Sequence, residues 1–331
     1  RTLAISKSIG STKAGVIKNQ TIGVIGYGIQ GEAQADNMKD SGLNVIVGLN
    51  ENGYSWKKAQ KHEHIVMPIE KACKKSDIIH ILIPDMVQAE VYAKKISNNI
   101  SEGNALSFSH GAAIHWNWIS TPKNIDIIMI APKGPGSKVR ETYLDGFGTP
   151  SIIAVKQDYT GTAWERTLAI SKSIGSTKAG VIKTSFQEEV ETDWFGEQSD
   201  LCGGTASMII NAFETLVEDG YQPEIAYFEV LHELKLIVDM IQRHGITGMY
   251  NRVSETARFG GLTRGPLIMN KENKQNMKLV LKMIKDGTFN KEWINQYKKD
   301  GKNSFNKYMN KIKNHQLEKT GKEMRNMIWG D

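Results

Sequence analysis

Residues 21–49 leave this chain few folds to choose from. Thr21-Ile22-Gly23-Val24-Ile25 reads as a short buried strand, and Gly26-Tyr27-Gly28-Ile29-Gln30-Gly31 follows at once. Residues 32–39 have helical character, and Asn44-Val45-Ile46-Val47-Gly48-Leu49 gives a second strand. Strand, G-x-G-x-x-G, helix and strand within about thirty residues is the setting in which this fingerprint specifies a dinucleotide-binding unit. Gly26 permits the tight turn, Gly28 lets backbone approach a pyrophosphate, and Gly31 lets the helix pack closely on the strand. The helix N-terminus then offers N–H groups and a positive dipole end to the phosphates. Tyr27, Gly28, Ile29, Gln30 and Gly31 are therefore candidate cofactor contacts.

The rest of the chain extends that unit. Short apolar runs at 78–83, 105–108, 125–130, 152–155 and 180–182 alternate with helical stretches. Continuous apolar strands between helices predict a parallel sheet covered on both faces. After about residue 184 the strand signal ends, and 205–218, 223–244 and 274–285 have helical period and length. The expected architecture is an α/β Rossmann-type dinucleotide-binding domain over 19–184 followed by an all-α domain over 185–331. No Gly/Ser linker separates them. Residues 1–18 repeat residues 166–183 without a single change. The second copy fits a helix–strand unit; the first is an anomalous duplicate to which no function is assigned.

Two pairs of carboxylates suggest what the helical domain does. Asp193 with Glu197, and Glu229 with Glu233, are each spaced i, i+4, so on a helix each pair shares a face. Residues 225–238, around the second pair, are apolar nearly all round, which predicts a buried helix. Carboxylates there need cations or protons as compensation. Four converging carboxylates without a Cys or His pattern describe a hard-cation site, most naturally Mg²⁺. Either pair alone reads better as solvated acids; the apolar setting of the second is what favours a metal.

Composition agrees with a large enzyme. At 331 residues and 40% hydrophobic content the chain can build two sizeable cores. No apolar run approaches the length of a membrane span, and no signal peptide is visible. Cys73 and Cys202 form no metal-binding spacing, which suits a reducing cytoplasm. The net charge of +6 is uneven: residues 271–331 hold 15 Lys+Arg against 7 Asp+Glu, and the remainder 27 against 29. Those lysines alternate with Leu279, Met283, Phe289, Trp293, Phe305 and Tyr308, so a solvated amphipathic helical surface explains them better than nucleic-acid binding.

The chain resembles the short-form (class I) ketol-acid reductoisomerases over about residues 19–330. The resemblance is carried by the glycine turn, Ile83-Pro84-Asp85, Phe108-Ser109-His110-Gly111 and Ala131-Pro132-Lys133-Gly134-Pro135-Gly136. It continues through Glu191-Thr192-Asp193-Trp194-Phe195-Gly196-Glu197-Gln198, Leu201-Cys202-Gly203-Gly204, Ala226-Tyr227-Phe228-Glu229, His232-Glu233-Leu234-Lys235-Leu236-Ile237 and His315-Gln316-Leu317-Glu318-Lys319. It implies conversion of a small-molecule 2-acetohydroxy acid (2-acetolactate or 2-aceto-2-hydroxybutyrate) to a 2,3-dihydroxy acid in branched-chain amino-acid synthesis. Two Mg²⁺ per site and a reduced nicotinamide would be required. By the match, Asp193 and Glu197 bind metal from one subunit, Asp193 bridging both ions, and Glu229 and Glu233 come from the partner subunit. A homodimer sharing its active site follows, with a dodecamer as a larger assembly open to it, and the helical domain is expected to be knotted. His110, Lys133 and Glu233 are the catalytic residues by that match, Gly136 joins the cofactor contacts, and Ser254 would bind the substrate carboxylate. Unaided, Lys133 reads equally as a solvated loop lysine, whereas His110 reads better as a structural histidine and Ser254 far better as a bland serine. The pattern departs from the family at Ser137, often His there, and around Asn251-Arg252.

Cofactor choice turns on Asn50-Glu51-Asn52-Gly53-Tyr54-Ser55-Trp56, after the second strand. NADPH-using relatives commonly carry Arg at the position of Asn50. Here the guanidinium is missing, and Glu51 lies 20 residues after Gly31, where an acid accepts hydrogen bonds from the ribose hydroxyls of NAD. Glu51 would also repel a 2′-phosphate. NADH use is expected; Ser55 could still donate to a phosphate, which leaves NADPH open. A metal-independent β-hydroxyacid-type dehydrogenase or a dinucleotide sensor would share the first domain but would not need four carboxylates.

Overall fold

The computed structural model describes residues 4–5 and 14–330. The chain divides into two compact units, 1–190 and 191–331. Most of the first copy of the duplicated segment lies outside the described residues.

The first unit is built on a nine-stranded sheet. Its strands are β1 (Ala4–Ile5), β2 (Thr21–Ile25), β3 (Asn44–Leu49), β4 (Ile65–Pro68), β5 (Ile78–Ile81), β6 (Ala105–Phe108), β7 (Asp126–Pro132), β8 (Ser151–Gln157) and β9 (Val181–Lys183). Their order is β1-β9-β8-β7-β6-β5-β2-β3-β4. Alternate residues of one strand feed two separate cores. Val24, Val47, Ile78, Ile128 and Ile130 pack on one face, and Ile25, Ile79, Ile81, Ile127 and Met129 on the other. This two-sided burial is why the strands read as continuous apolar runs rather than alternating ones. The edge strand β4, half-buried, carries a short apolar run of its own, Ile65-Val66-Met67-Pro68, that the strands singled out above do not include.

The expectation of a parallel sheet fails at two pairings, β8 with β7 and the edge strand β1 with β9. Strands β2 to β7 pair in parallel, but β8 runs antiparallel to β7, with Pro132 opposite Ser151. The nine-residue helix Gly136–Leu144 leaves the end of β7. Gly146 and Gly148, at φ of 74° and 85°, then turn the chain back. Gly148 donates to the Thr142 carbonyl at 2.8 Å, and the Lys133 N–H to the Pro150 carbonyl at 2.8 Å. The chain therefore re-enters the sheet at the end it left, and no crossover is made.

The second unit is all helical among its described residues, with Gly203–Glu218, Glu233–Tyr250, Glu255–Ile268, Lys271–Lys285 and Gln316–Trp329 its longest elements. A core of Phe213, Ala226, Tyr227 and Leu317 anchors part of it. The span 223–244 is not one regular helix: it passes through a π-turn at Phe228–His232, and Gly245 breaks the geometry at φ 73°. Nor is the helix buried all round. Leu236 and Val238 are half-exposed, and Glu229 and Glu233 are exposed. Only one face of this segment finds a core within the chain. No helix among the described residues is long and apolar enough to cross a membrane.

Candidate active site

The loops that follow β2, β3, β5, β6 and β7 gather at the carboxyl edge of the sheet, where α/β folds bind ligands. The first is the glycine turn into α1 (Ile29–Asp40). Gly26 sits at φ 106°, and a Cβ there would lie 2.6 Å from the Leu82 carbonyl oxygen. A Cβ on Gly31 would meet the Gly26 carbonyl at 2.4 Å, and one on Gly136 the Ile29 carbonyl at 2.1 Å. These three glycines are required by the fold itself. Gly28 is different, because a Cβ there meets nothing within 4 Å. Its backbone is exposed at the head of α1, so a side chain is unwelcome only if something binds there.

The side chains of the candidate cofactor contacts are placed less uniformly. Tyr27 is buried, and its hydroxyl donates to Asp36 at 2.6 Å, so only its backbone faces the turn. Ile29 is exposed. Gln30 donates to the Gly134 carbonyl at 3.0 Å, tying α1 to the loop after β7. Asn50, Glu51 and Ser55 surround the start of α2 (Tyr54–Lys61), with Asn50 and Glu51 exposed. The Asn50 Oδ1 accepts from Lys95 at 2.9 Å, a cation that no spacing in the sequence predicts.

His110 and Lys133 follow β6 and β7, and the structure brings both to one carboxylate that the sequence reading did not single out. Glu189 has a side chain only 1% exposed. It accepts from the Gly111 N–H at 2.9 Å, contacts His110 Nδ1 at 3.2 Å and accepts from Lys133 at 3.4 Å. Burial alone would raise its pKa. The hydrogen bond and charge of His110, the Lys133 ammonium and the Gly111 N–H together outweigh burial and hold it below the usual carboxylate range. Gly111 makes this approach possible, since a Cβ there would meet the Phe186 carbonyl and Val190 at 3.0 Å. The signal was present in the sequence: Glu189, Asp193 and Glu197 form an i, i+4, i+8 series, of which the pair reading took only the last two.

Behind this edge runs a buried polar chain. His80 on β5 contacts Ser107 at 2.8 Å and Gln34 at 2.9 Å. Gln34 donates to Ser109 at 3.0 Å and to Gln30 at 3.1 Å. Burial lowers the pKa of His80 to about 4, against a smaller opposing effect of its bond to Ser107, so the ring is neutral.

In the second unit Asp193 is half-buried, and Glu197, Glu229 and Glu233 are exposed. Both pairs lie at π-turns: Glu197 opens Glu197–Leu201, and Glu229 lies in Phe228–His232 with Glu233 following. Such turns widen the helix and recur at functional sites. Ser254 caps the helix Glu255–Ile268, accepting from the Ala257 N–H at 3.1 Å.

Residues 16–180 match the family model described as acetohydroxy acid isomeroreductase, NADPH-binding domain, and residues 186–329 the ketol-acid reductoisomerase C-terminal domain. The chain belongs to the ketol-acid reductoisomerase family. It is 71% identical over 315 residues, covering 95% of each chain, to "Ketol-acid reductoisomerase (NADP(+))" of Nitrosopumilus maritimus. Identity to the protein of the same name from Methanocaldococcus jannaschii is 56%, covering 94% of each chain. Among solved structures, an NADH-preferring ketol-acid reductoisomerase from an uncultured archaeon superposes with a TM-score of 0.93 at 42% identity, covering 98% of both chains. The protein is thus an oxidoreductase of this family, with a nicotinamide-cofactor domain and a helical domain. The metal-independent dehydrogenase reading is set aside.

Proposed function

We propose that the chain catalyses the Mg²⁺-dependent rearrangement and reduction of 2-acetolactate or 2-aceto-2-hydroxybutyrate to 2,3-dihydroxy acids. The observation that carries this reading is the Glu189 cluster: a lysine and a histidine held by one buried carboxylate at the sheet edge that also carries the dinucleotide turn. The donors Asp193, Glu197, Glu229 and Glu233 are all oxygen, the set a hard divalent ion takes, and the π-turns give each pair the width to converge. When bound, two Mg²⁺ supply Lewis-acid polarisation of the substrate oxygens.

The chain's own residues do the rest. Glu189 fixes the orientation of His110 and Lys133 without touching the substrate. Lys133 holds positive charge at Nζ beside the oxygens whose charge changes, and exchanges a proton there. His110 borders the nicotinamide and the substrate. The Ser254 oxygen accepts from its own helix, which leaves the hydroxyl proton to donate to the substrate carboxylate. Glu229 and Glu233, exposed in the single chain, serve the site of the partner subunit, so the functional unit is a homodimer, open to a dodecamer.

For the cofactor, Glu51 takes the adenosine ribose hydroxyls and favours NADH, while the Lys95 ammonium at Asn50 keeps NADPH usable by offsetting the charge of a 2′-phosphate. The free thiols of Cys73 and Cys202 suit a cytoplasmic setting. One assay tests the reading: 2-acetolactate turnover with NADH and NADPH side by side, with Mg²⁺ and after chelation. Turnover that stops on chelation, with kcat/KM for NADH at least equal to that for NADPH, is expected. Turnover surviving chelation would overturn the metal reading, and strong NADPH preference the cofactor reading.

A further inference from the structure

A second group of metal-binding residue types lies in the first unit, further along the helix that the glycine turn opens and beside Tyr27. Glu32 and Asp36, one turn apart on α1, face His62, which ends α2. One ligand atom from each of Glu32, Asp36 and His62 lies within 4.8 Å of the other two. His62 Nδ1 is 3.3 Å from Asp36 Oδ2 and 3.9 Å from Glu32 Oε1. The second is too long for a hydrogen bond and the first is a weak one. Both approach the spacing of adjacent ligands around one ion, about 3.0–3.4 Å for bonds of about 2.1 Å.

The outward oxygens are already occupied. Lys58 donates to Glu32 Oε2 at 2.5 Å. Tyr27 donates to Asp36 Oδ1 at 2.6 Å, and His64, buried, contacts the same oxygen at 2.7 Å. Each carboxylate is therefore oriented by an outer partner on one oxygen and presents the other inward with the imidazole nitrogen. That division, inner ligand and outer support, is how proteins orient metal-binding carboxylates and histidines. His62 Nδ1 also lies 3.0 Å from the Tyr27 hydroxyl, whose own proton goes to Asp36. A cation at this position takes the Nδ1 lone pair, with the ring proton on Nε2.

We propose that Glu32 Oε1, Asp36 Oδ2 and His62 Nδ1 form a separate site for a borderline divalent cation of the Zn²⁺ or Co²⁺ class. Binding forms three metal–ligand bonds, through one oxygen of each carboxylate and the Nδ1 lone pair of neutral His62, whose single ring proton then sits on Nε2. Lys58 cancels one of the two negative charges, so the nitrogen ligand rather than charge selects the ion, and Mg²⁺, which prefers oxygen alone, is disfavoured. Bound, the ion would tie α1 to the chain between α2 and β4.

The test titrates Co²⁺ into the full chain with Mg²⁺ in large excess, so that all-oxygen carboxylate sites are filled. A saturable visible d–d absorption is expected, with one Co²⁺ per chain and a thermal midpoint that rises with Co²⁺. Glu32→Gln and His62→Gln should each weaken Co²⁺ at least about tenfold and abolish the rise in midpoint. Glu63→Gln, an exposed neighbour, should change neither. Circular dichroism of each variant without Co²⁺ separates loss of the site from loss of the fold. No saturable band in the wild type, or a folded His62→Gln that binds Co²⁺ as tightly as the wild type, overturns the proposal.

Discussion

At Glu189 two tendencies oppose each other. Burial favours the neutral acid, while His110, Lys133 and the Gly111 N–H favour the carboxylate and prevail. A carboxyl held below its unfolded pKa stabilises the fold above the ordinary carboxylate range, and that contribution is lost as pH falls through the depressed value. Glu189→Gln keeps the shape but removes the charge that orients His110 and Lys133. We expect kcat to fall by roughly 10- to 100-fold, a loss typical of removing a supporting carboxylate, with dinucleotide Kd nearly unchanged. Stopped-flow turnover beside fluorescence binding would show it, and a shift in Kd alone would move Glu189 to the cofactor pocket. The glycines make a second residue-level contrast. Gly31→Ala drives a Cβ to 2.4 Å from the Gly26 carbonyl and should cost about 1–3 kcal/mol of stability. Gly28→Ala meets nothing and sits at φ −87°, so it should leave the thermal midpoint alone and weaken NADH binding. Equal effects on stability would refute the distinction. The fingerprint in the sequence already divides the roles, Gly28 for the ligand and Gly26 and Gly31 for turn and packing; the atoms that enforce the division, on Leu82 and Gly26, are not encoded in any spacing.

At the scale of elements, β5, β6 and α1 are joined by the Ser107–His80–Gln34 chain, whose far end, through Gln30, holds the loop after β7. His80 has a folded pKa of about 4 against an unfolded value of about 6.5. Between these values the unfolded chain binds the extra proton, so stability is fully present above pH 6.5 and declines as pH falls toward 4. The whole decline amounts to about 3 kcal/mol. His80→Gln can still bridge Ser107 and Gln34 but does not titrate. Its thermal midpoint should lie below that of the wild type at neutral pH, and the gap should close as pH falls from 6.5 toward 4; a gap constant with pH would contradict the assignment. The strands β2, β3, β5, β6 and β7 were legible because each is buried on both faces. The reversal at β8 was not, since it depends on Gly146 and Gly148 taking positive φ. Propensity also yields to context: Ala4-Ile5 pairs with β9 as a strand, yet the identical Ala169-Ile170 lies inside the helix Ala163–Ser173. The four carboxylates stand out in the sequence through their i, i+4 spacing, the apolar setting of the second pair and the family resemblance. The exposure of Glu229 and Glu233 does not, because an apolar run signals burial without saying whether the same chain supplies the cover.

For the whole molecule that cover is the open quantity. Leu236 and Ile246 on Glu233–Tyr250, and Phe259, Leu262 and Leu267 on Glu255–Ile268, are all more than half exposed in the single chain. Clustered large apolar side chains at that exposure mark association surfaces rather than solvent-facing ones. The helix Glu233–Tyr250 also begins at Glu233, one turn after Glu229, so burying its apolar residues against a second copy would bring those carboxylates to the interface. If the site is completed there, breaking the association removes chemistry while sparing the dinucleotide. The double variant Phe259→Lys, Leu262→Lys places two charges on that surface, and each buried unpaired charge costs several kcal/mol. We expect sedimentation to show monomers for the variant and a dimer or larger assembly for the wild type. Turnover of 2-acetolactate should fall by at least about 100-fold, since two of the four metal carboxylates would be lost to each site. NADH should bind the monomer with nearly wild-type Kd, because its turn and loop belong to the first unit. A monomer that still turns over would show that one chain completes its own site, and Glu229 and Glu233 would then have to be reassigned within it.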